Sequence, residues 1–249
     1  MNNKKDLTVK EALDLAIQNH QNNNLQDAQN YYQKVLKIEP NNSPSLNNLG
    51  VIFGDLGEHQ KAKDCYEKLI EINPNNENAH NNLGNIFKAL RDYQKAKYCF
   101  EKSIEINPNH SIAHYNLGAI FTNLGEHQKA KDLYEKLIAI NPNHENAHNN
   151  LGAIFKELGE NQKAKDCFEK LIEINPNHSI AYNNLGAIFK ELGENQKAKD
   201  CFEKAIEINP DFIDPIENIS RLYCSELNLE KATSSSYKAL KIYCDKLTI

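Results

Sequence analysis

The sequence predicts an all-α solenoid of about seven helix-turn-helix units, and three observations predict it. The pairs Leu49-Gly50, Leu83-Gly84, Leu117-Gly118, Leu151-Gly152 and Leu185-Gly186 recur at a spacing of 34 residues, the signature of a repeat architecture. Between recurrences the apolar residues fall at helical rather than strand spacing. Six of the eight prolines, Pro40, Pro74, Pro108, Pro142, Pro176 and Pro210, return at the same interval, and a proline there forbids a helix from continuing.

Numbering positions 1 to 34 from Ser43 fixes the register. A lead-in of 1–8 precedes a divergent first unit at 9–42. Units follow at 43–76, 77–110, 111–144, 145–178 and 179–212, and a divergent last unit and C-terminus occupy 213–249. Within each unit, positions 3, 4, 7, 10, 11 and 14 form one apolar stripe, as in Ala147, His148, Leu151, Ile154, Phe155 and Leu158; this is helix A. Glycine at position 15 (Gly57, Gly125, Gly159, Gly193) suits the left-handed conformation that ends a helix. Arg91 stands there in the third unit, so that turn is expected to be less comfortable. Helix B carries a second stripe, Ala164, Phe168, Leu171 and Ile172, and its outer face sets Asp64 with Lys68, Asp166 with Lys170 and Asp200 with Lys204 at i, i+4. An Asn-Pro-Asn turn closes most units. Glycine at position 8 lets helix B approach helix A. The first unit has Ala16 there and the last has Ser220 and Ser236, as expected of terminal repeats that present one face to water.

Composition narrows the function. A formal net charge of -5 with mixed Lys, Glu and Asp gives no basic footprint for nucleic acid. No stretch approaches the roughly 18 apolar residues of a membrane span, and Met1–Lys10 lacks the apolar run of a leader; a cytoplasmic protein with no membrane partner is the expectation. Cys65, Cys99, Cys167 and Cys201 are one position copied four times, read as small buried thiols rather than disulfides or metal ligands.

Gly at position 8, Phe at 11, Ala at 20, Tyr or Phe at 24 and Pro at 32 resemble the tetratricopeptide repeat family. The resemblance covers nearly the whole chain. It implies a right-handed superhelix with a concave groove lined by positions 2, 5, 6, 9, 12 and 13 of helix A, and a role in protein interaction rather than catalysis. The family pattern has a large aromatic at position 4, where this chain has Leu46, His80, His114, His148 and Tyr182.

Catalysis would need a constellation that breaks the period, and none is present: no Gly-rich phosphate loop, no G-x-S-x-G and no H-E-x-x-H. The expectation is therefore no enzyme and no cofactor. His110 with His114 and His144 with His148 have the i, i+4 spacing of a shared metal ion. They read instead as an exposed turn histidine beside a core one, with no metal.

The groove face is more informative. Position 6 reads Asn48, Asn82, Asn116, Asn150, Asn184 and Asn218, and position 5 adds Asn47, Asn81, Asn149 and Asn183 with Tyr115 interrupting. An asparagine offers one acceptor and two donors, the complement of a peptide bond. Adjacent helices lie about 8–10 Å apart and an extended chain advances about 3.3–3.6 Å per residue, so each asparagine would meet roughly every third guest residue. The ladder resembles that of the repeats of O-GlcNAc transferase, where such asparagines hold peptide main chain. Asparagine at position 6 is also common in the family, and duplication copies residues whether or not they are used, so inherited consensus stands beside backbone binding. Asn85 at position 9 and Lys88, Lys156 and Lys190 at position 12 complete the candidate site, the lysines answered by Asp55, Glu157 and Glu191 at position 13. The cations of a carboxylate clamp are missing, since position 6 never carries arginine. The expected function is a scaffold or adaptor for a protein or peptide in extended conformation. Two alternatives stand beside it: a substrate-docking region of a longer glycosyltransferase- or sulfotransferase-type enzyme, and a self-assembling scaffold associating through its end units.

Overall fold

The computed structural model describes residues 7–247, with side chains through Ile242. The regular structure among the described residues is fourteen helices. They are α1 Val9–Gln21, α2 Leu25–Ile38, α3 Ser43–Asp55, α4 His59–Ile72, α5 Glu77–Ala89, α6 Tyr93–Ile106 and α7 Ser111–Asn123, then α8 His127–Ile140, α9 Glu145–Glu157, α10 Asn161–Ile174, α11 Ser179–Glu191, α12 Asn195–Ile208, α13 Ile213–Ser225 and α14 Leu229–Leu247. None of the described helices is long and apolar enough to cross a membrane. The chain divides into two compact units, Met1–Ile120 and Phe121–Ile249. In the first, α1 packs on α2, α3 on α4 and α5 on α6, and each B helix also packs on the A helix that follows, α2 on α3 and α4 on α5. In the second, the hairpins are α9 with α10, α11 with α12 and α13 with α14, and α8, α10 and α12 pack on α9, α11 and α13.

The A helices α1, α3, α5, α7, α9 and α11 start on a side-chain cap, while α13, with Phe212 at the N-cap, has none. Thr8 forms a reciprocal capping box with Glu11, and the Oδ1 atoms of Asn42 and Asn76 accept from the N–H groups of Ser45 and Ala79 at 3.1 and 3.0 Å. Histidine performs the same task at position 34. Nδ1 of His110, His144 and His178 accepts from the N–H of Ala113, Ala147 and Ala181, each at 3.1 Å, which a neutral imidazole nitrogen is equipped to do. These histidines are therefore not plain exposed turn residues; His110 is only 8% exposed. His178→Ala is expected to cost about 1 kcal/mol, the usual worth of an N-cap, and His178→Asn close to nothing, measured as hydrogen-exchange protection of α11.

Helix A ends in a Schellman turn. Gly57 donates to the Gly54 carbonyl and Glu58 to that of Phe53 at 3.0 and 2.8 Å, with Gly57, Gly125, Gly159 and Gly193 at φ of 72–76°. Arg91 takes the same left-handed conformation at φ 61°, where a Cβ is disfavoured by about 1–2 kcal/mol, as the sequence led one to expect. Asn23 and Leu227 do likewise in the end units.

The core of each hairpin is a glycine against an aromatic ring. A Cβ on Gly50, Gly84, Gly152 or Gly186 would stand 2.6–2.8 Å from the ring of Tyr66, Phe100, Phe168 or Phe202 respectively, and those four rings are 0–3% exposed. The last hairpin replaces the pair with Ser220 and Ser236, whose hydroxyls hydrogen-bond at 2.7 Å. The histidines at position 4 fill their slot and are pinned by the preceding turn: Nε2 of His80, His114 and His148 lies 2.8–3.0 Å from the carbonyl oxygens of Pro74, Pro108 and Pro142.

The outer face of helix B differs in detail from expectation. Asp64, Asp166 and Asp200 accept from Gln60, Gln162 and Gln196 on the preceding turn at 2.7–2.8 Å, while Lys170 and Lys204 reach forward to Glu173 and Glu207. The short aspartates are already occupied, so the lysines find the next carboxylate. Lys163 bonds Glu160 and lies 5.4 Å over the Phe155 ring, and Lys129 and Lys197 repeat the arrangement. Of the four repeated cysteines only Cys99 is fully buried, the others being half-buried. Burial first, and neighbouring carboxylates after it, push the thiols up to about 11 for Cys65 and Cys201 and about 12 for Cys99 and Cys167, so they stay unreactive at neutral pH.

Candidate functional site

The amides of helix A are not a row of independent side chains, because each unit's position 6 is read by position 24 of the unit before it. Where position 24 is tyrosine, the amide is tied to the phenol. Asn48 donates to Tyr32 Oη at 2.9 Å and Asn150 to Tyr134 Oη at 3.1 Å, and Asn82 is hydrogen-bonded to Tyr66. In these units position 5 completes a relay, with Asn47, Asn81 and Asn149 donating to the Oδ1 of Asn48, Asn82 and Asn150 at 3.3–3.4 Å.

Where position 24 is phenylalanine, no hydroxyl is available and the amide turns elsewhere. Asn116 donates to Asn81 Oδ1 at 3.3 Å and Asn218 to Asn183 Oδ1 at 3.0 Å. Asn184, which follows Phe168, would by the same register reach Asn149 Oδ1. That oxygen is buried and has no partner, and Asn184 is half-buried with no hydrogen bond among the described residues. One rung of the compact unit Phe121–Ile249 is thus left unsatisfied, an arrangement that costs free energy when nothing fills it. Phe168→Tyr would supply the missing hydroxyl beneath Asn184 and is expected to raise stability by about 0.5–1 kcal/mol; an unchanged unfolding midpoint would contradict the tyrosine rule.

The other candidate residues are placed as follows. Asn81, Asn116 and Asn183 are buried, and Asn47, Asn85, Tyr115 and Asn149 half-buried. Lys88, Lys156 and Lys190 are half-buried and form no ion pair among the described residues. Their expected partners at position 13 turn away, since consecutive helix residues do not face each other. Glu157 Oε2 stands 3.4 Å from His127 Nδ1 and Glu191 accepts from Asn161 at 3.2 Å, both across to helix B of the preceding unit. His110 is engaged at both ring nitrogens, Nδ1 by its cap and Nε2 by Asn78 Oδ1 at 3.1 Å.

Between the repeats 43–76 and 77–110 the face opens into a cleft of about 270 Å³ lined by Gly50, Val51, Gly54, Asp55, His59 and Tyr66 and, across from them, Asn82, Asn85, Ile86 and Ala89. Position 12 is glycine here instead of lysine, and position 13 of the following unit is Ala89 instead of glutamate; the two absent side chains make the room. Burial, and after it the charges of Cys65 and Asp55, push the Tyr66 hydroxyl well above its usual range. Gly54 is the one glycine of the ten that stands at neither position 8 nor position 15.

Comparisons with known proteins agree on the architecture. Family matches described as tetratricopeptide repeat cover residues 43–76, 77–110 and 179–212, then 109–177, and 19–42. No curated protein matches the chain. Among solved structures, MamA is 25% identical and covers 67% of this chain and 98% of its own, with a TM-score of 0.64. YrrB, described as carrying an unusual peptide-binding site, is 23% identical over 74% and 95%, with a TM-score of 0.65. The C-terminal part of a repeat-containing protein from Cytophaga hutchinsonii is 20% identical over 92% and 95%, with a TM-score of 0.78. The last two show likeness of fold.

Proposed function

We propose that this chain, which belongs to the tetratricopeptide repeat family, is a protein-interaction scaffold that holds an extended polypeptide segment by its main chain. The observation that carries the reading is the amide of Asn184, half-buried and without a hydrogen bond among the described residues of the compact unit Phe121–Ile249. A main-chain amide brings one donor and one acceptor, and the half-buried Asn184 side chain, with no hydrogen bond among the described residues, offers the complement of both. The neighbouring rungs add to it. Asn150 spends one N–H on Tyr134 and one lone pair on Asn149, which leaves one of each for a guest. A peptide-binding site in YrrB is in keeping with the reading.

The test is retention of polypeptides from lysate by the intact chain and by a variant carrying Asn116→Ala, Asn184→Ala and Asn218→Ala. These three substitutions orphan no tyrosine hydroxyl, and circular dichroism establishes that both proteins are equally helical. Polypeptides kept by the first and lost by the second are the expected result; equal retention by both would reduce the amides to inherited consensus.

Self-association through an end unit is a second reading, favoured by the exposure of Leu227, Leu229, Tyr237 and Leu240 in the last hairpin, because apolar groups gathered at a surface mark interfaces. A concentration series by light scattering separates it from a monomer.

A further inference from the structure

The cleft at Gly54 is where the repeat 43–76 departs from the others, and what it lacks indicates what it takes. Three other units carry a cation at position 12, Lys88, Lys156 and Lys190. Here that position is Gly54. The acid at position 13 elsewhere approaches helix B of the preceding unit, as Glu157 approaches His127 and Glu191 approaches Asn161. Asp55 finds Leu25 at that position instead, and its carboxylate forms no ion pair among the described residues. His59 occupies the place of His127, but the residue that would meet it is Ala89, and its Nδ1 is buried without a partner. The cleft therefore brings together a carboxylate without a cation, an imidazole nitrogen without a hydrogen bond, the buried oxygen of Tyr66 and the amides of Asn82 and Asn85.

The Asp55 carboxylate only accepts hydrogen bonds, and the amides of Asn82 and Asn85 can accept as well as donate. A guest carboxylate would face Asp55 and be repelled, and an apolar side chain would leave the polar groups unmet. A guanidinium is a planar fork of donors with no acceptor, and it would take the place of the absent lysine. We propose that the cleft of Gly54, Asp55, His59, Tyr66, Asn82 and Asn85 is a subsite for an arginine side chain of the held polypeptide. This rests on the reading of the chain as a polypeptide-binding scaffold and adds to it a side-chain preference at one place.

The experiment titrates N-acetyl-arginine methylamide, and separately N-acetyl-citrulline methylamide, into the full-length isotope-labelled chain and follows the side-chain resonances of Asn82, Asn85 and His59. Citrulline keeps the shape and loses the charge. Saturable shifts confined to these residues are expected with arginine, with citrulline weaker by at least about tenfold, as a charge-assisted contact to Asp55 requires. Gly54→Lys is expected to abolish them by filling the cleft with the residue the repeat normally carries there. It leaves the fold intact, since an added Cβ meets only Ile86 Cδ1 at 3.4 Å. Asp55→Asn should weaken arginine to the level of citrulline. Equal affinity for the two compounds, or shifts that persist in Gly54→Lys, would overturn the proposal. The outcome is separable from that of the main-chain reading, which is scored at Asn116, Asn184 and Asn218 and not at this cleft.

Discussion

Phe202→Ala is expected to destabilise the α11–α12 hairpin by about 3–5 kcal/mol. The ring is fully buried against the backbone of Gly186, where the absent Cβ leaves no side chain to swing into the void. A stack of repeats unfolds partly unit by unit, so a single melting temperature understates the local loss. Hydrogen exchange of the α12 amides should quicken by roughly 10²-fold or more, as 1.4 kcal/mol corresponds to a factor of ten. Protection within a few-fold of the parent would mean that the hairpin is not held by this contact.

Gly84→Ala is the mirror of that experiment, adding an atom where the first removes several. The new Cβ would lie 2.6 Å from the Phe100 ring, inside van der Waals contact, and overpacking of this kind costs about 1–3 kcal/mol. Since the clash is with one ring, Phe100→Leu should relieve part of it, and the double variant is expected to be more stable than the sum of the two single losses. Strict additivity, read from denaturant midpoints, would show that the glycine is needed for some reason other than the approach of this ring.

Much of this was legible in the sequence because it is local or periodic. The helix starts at Ser43, Glu77, Ser111, Glu145 and Ser179 follow from the apolar stripe and the proline that precedes each. The left-handed turn at Gly57 follows from glycine itself, and the close approach at Gly84 from a glycine where a helix would favour a side chain. What was not legible depends on pairs of residues in different units. Whether Asn150 is engaged is decided by a tyrosine 16 residues earlier, and the same asparagine above a phenylalanine behaves as Asn184 does. The Tyr or Phe choice at position 24 was visible in the sequence, but both rings satisfy the core pattern, and only the geometry shows that the hydroxyl reaches the next helix. The cleft at Gly54 needed two subtractions at once, a lysine at 54 and a glutamate at 89, on helices that sequence reading does not set face to face. The capping role of His144 and His178 was hidden because histidine is not among the usual caps.

The central claim is that the A-helix amides hold main chain, and one measurement addresses it most directly. Once a retained polypeptide has been mapped to a segment, two series of synthetic peptides covering it are compared by calorimetry: one with single residues N-methylated, the other with single side chains replaced by alanine. N-methylation removes a donor and leaves the side chain in place. Main-chain recognition predicts that N-methylation at roughly every third residue lowers affinity by about tenfold, that alanine replacements away from any arginine change it little, and that Asn184→Ala erases the sensitivity at one of those positions. The contrary result, affinity set by side chains and indifferent to N-methylation, would mean that the asparagines serve only to pack one repeat on the next.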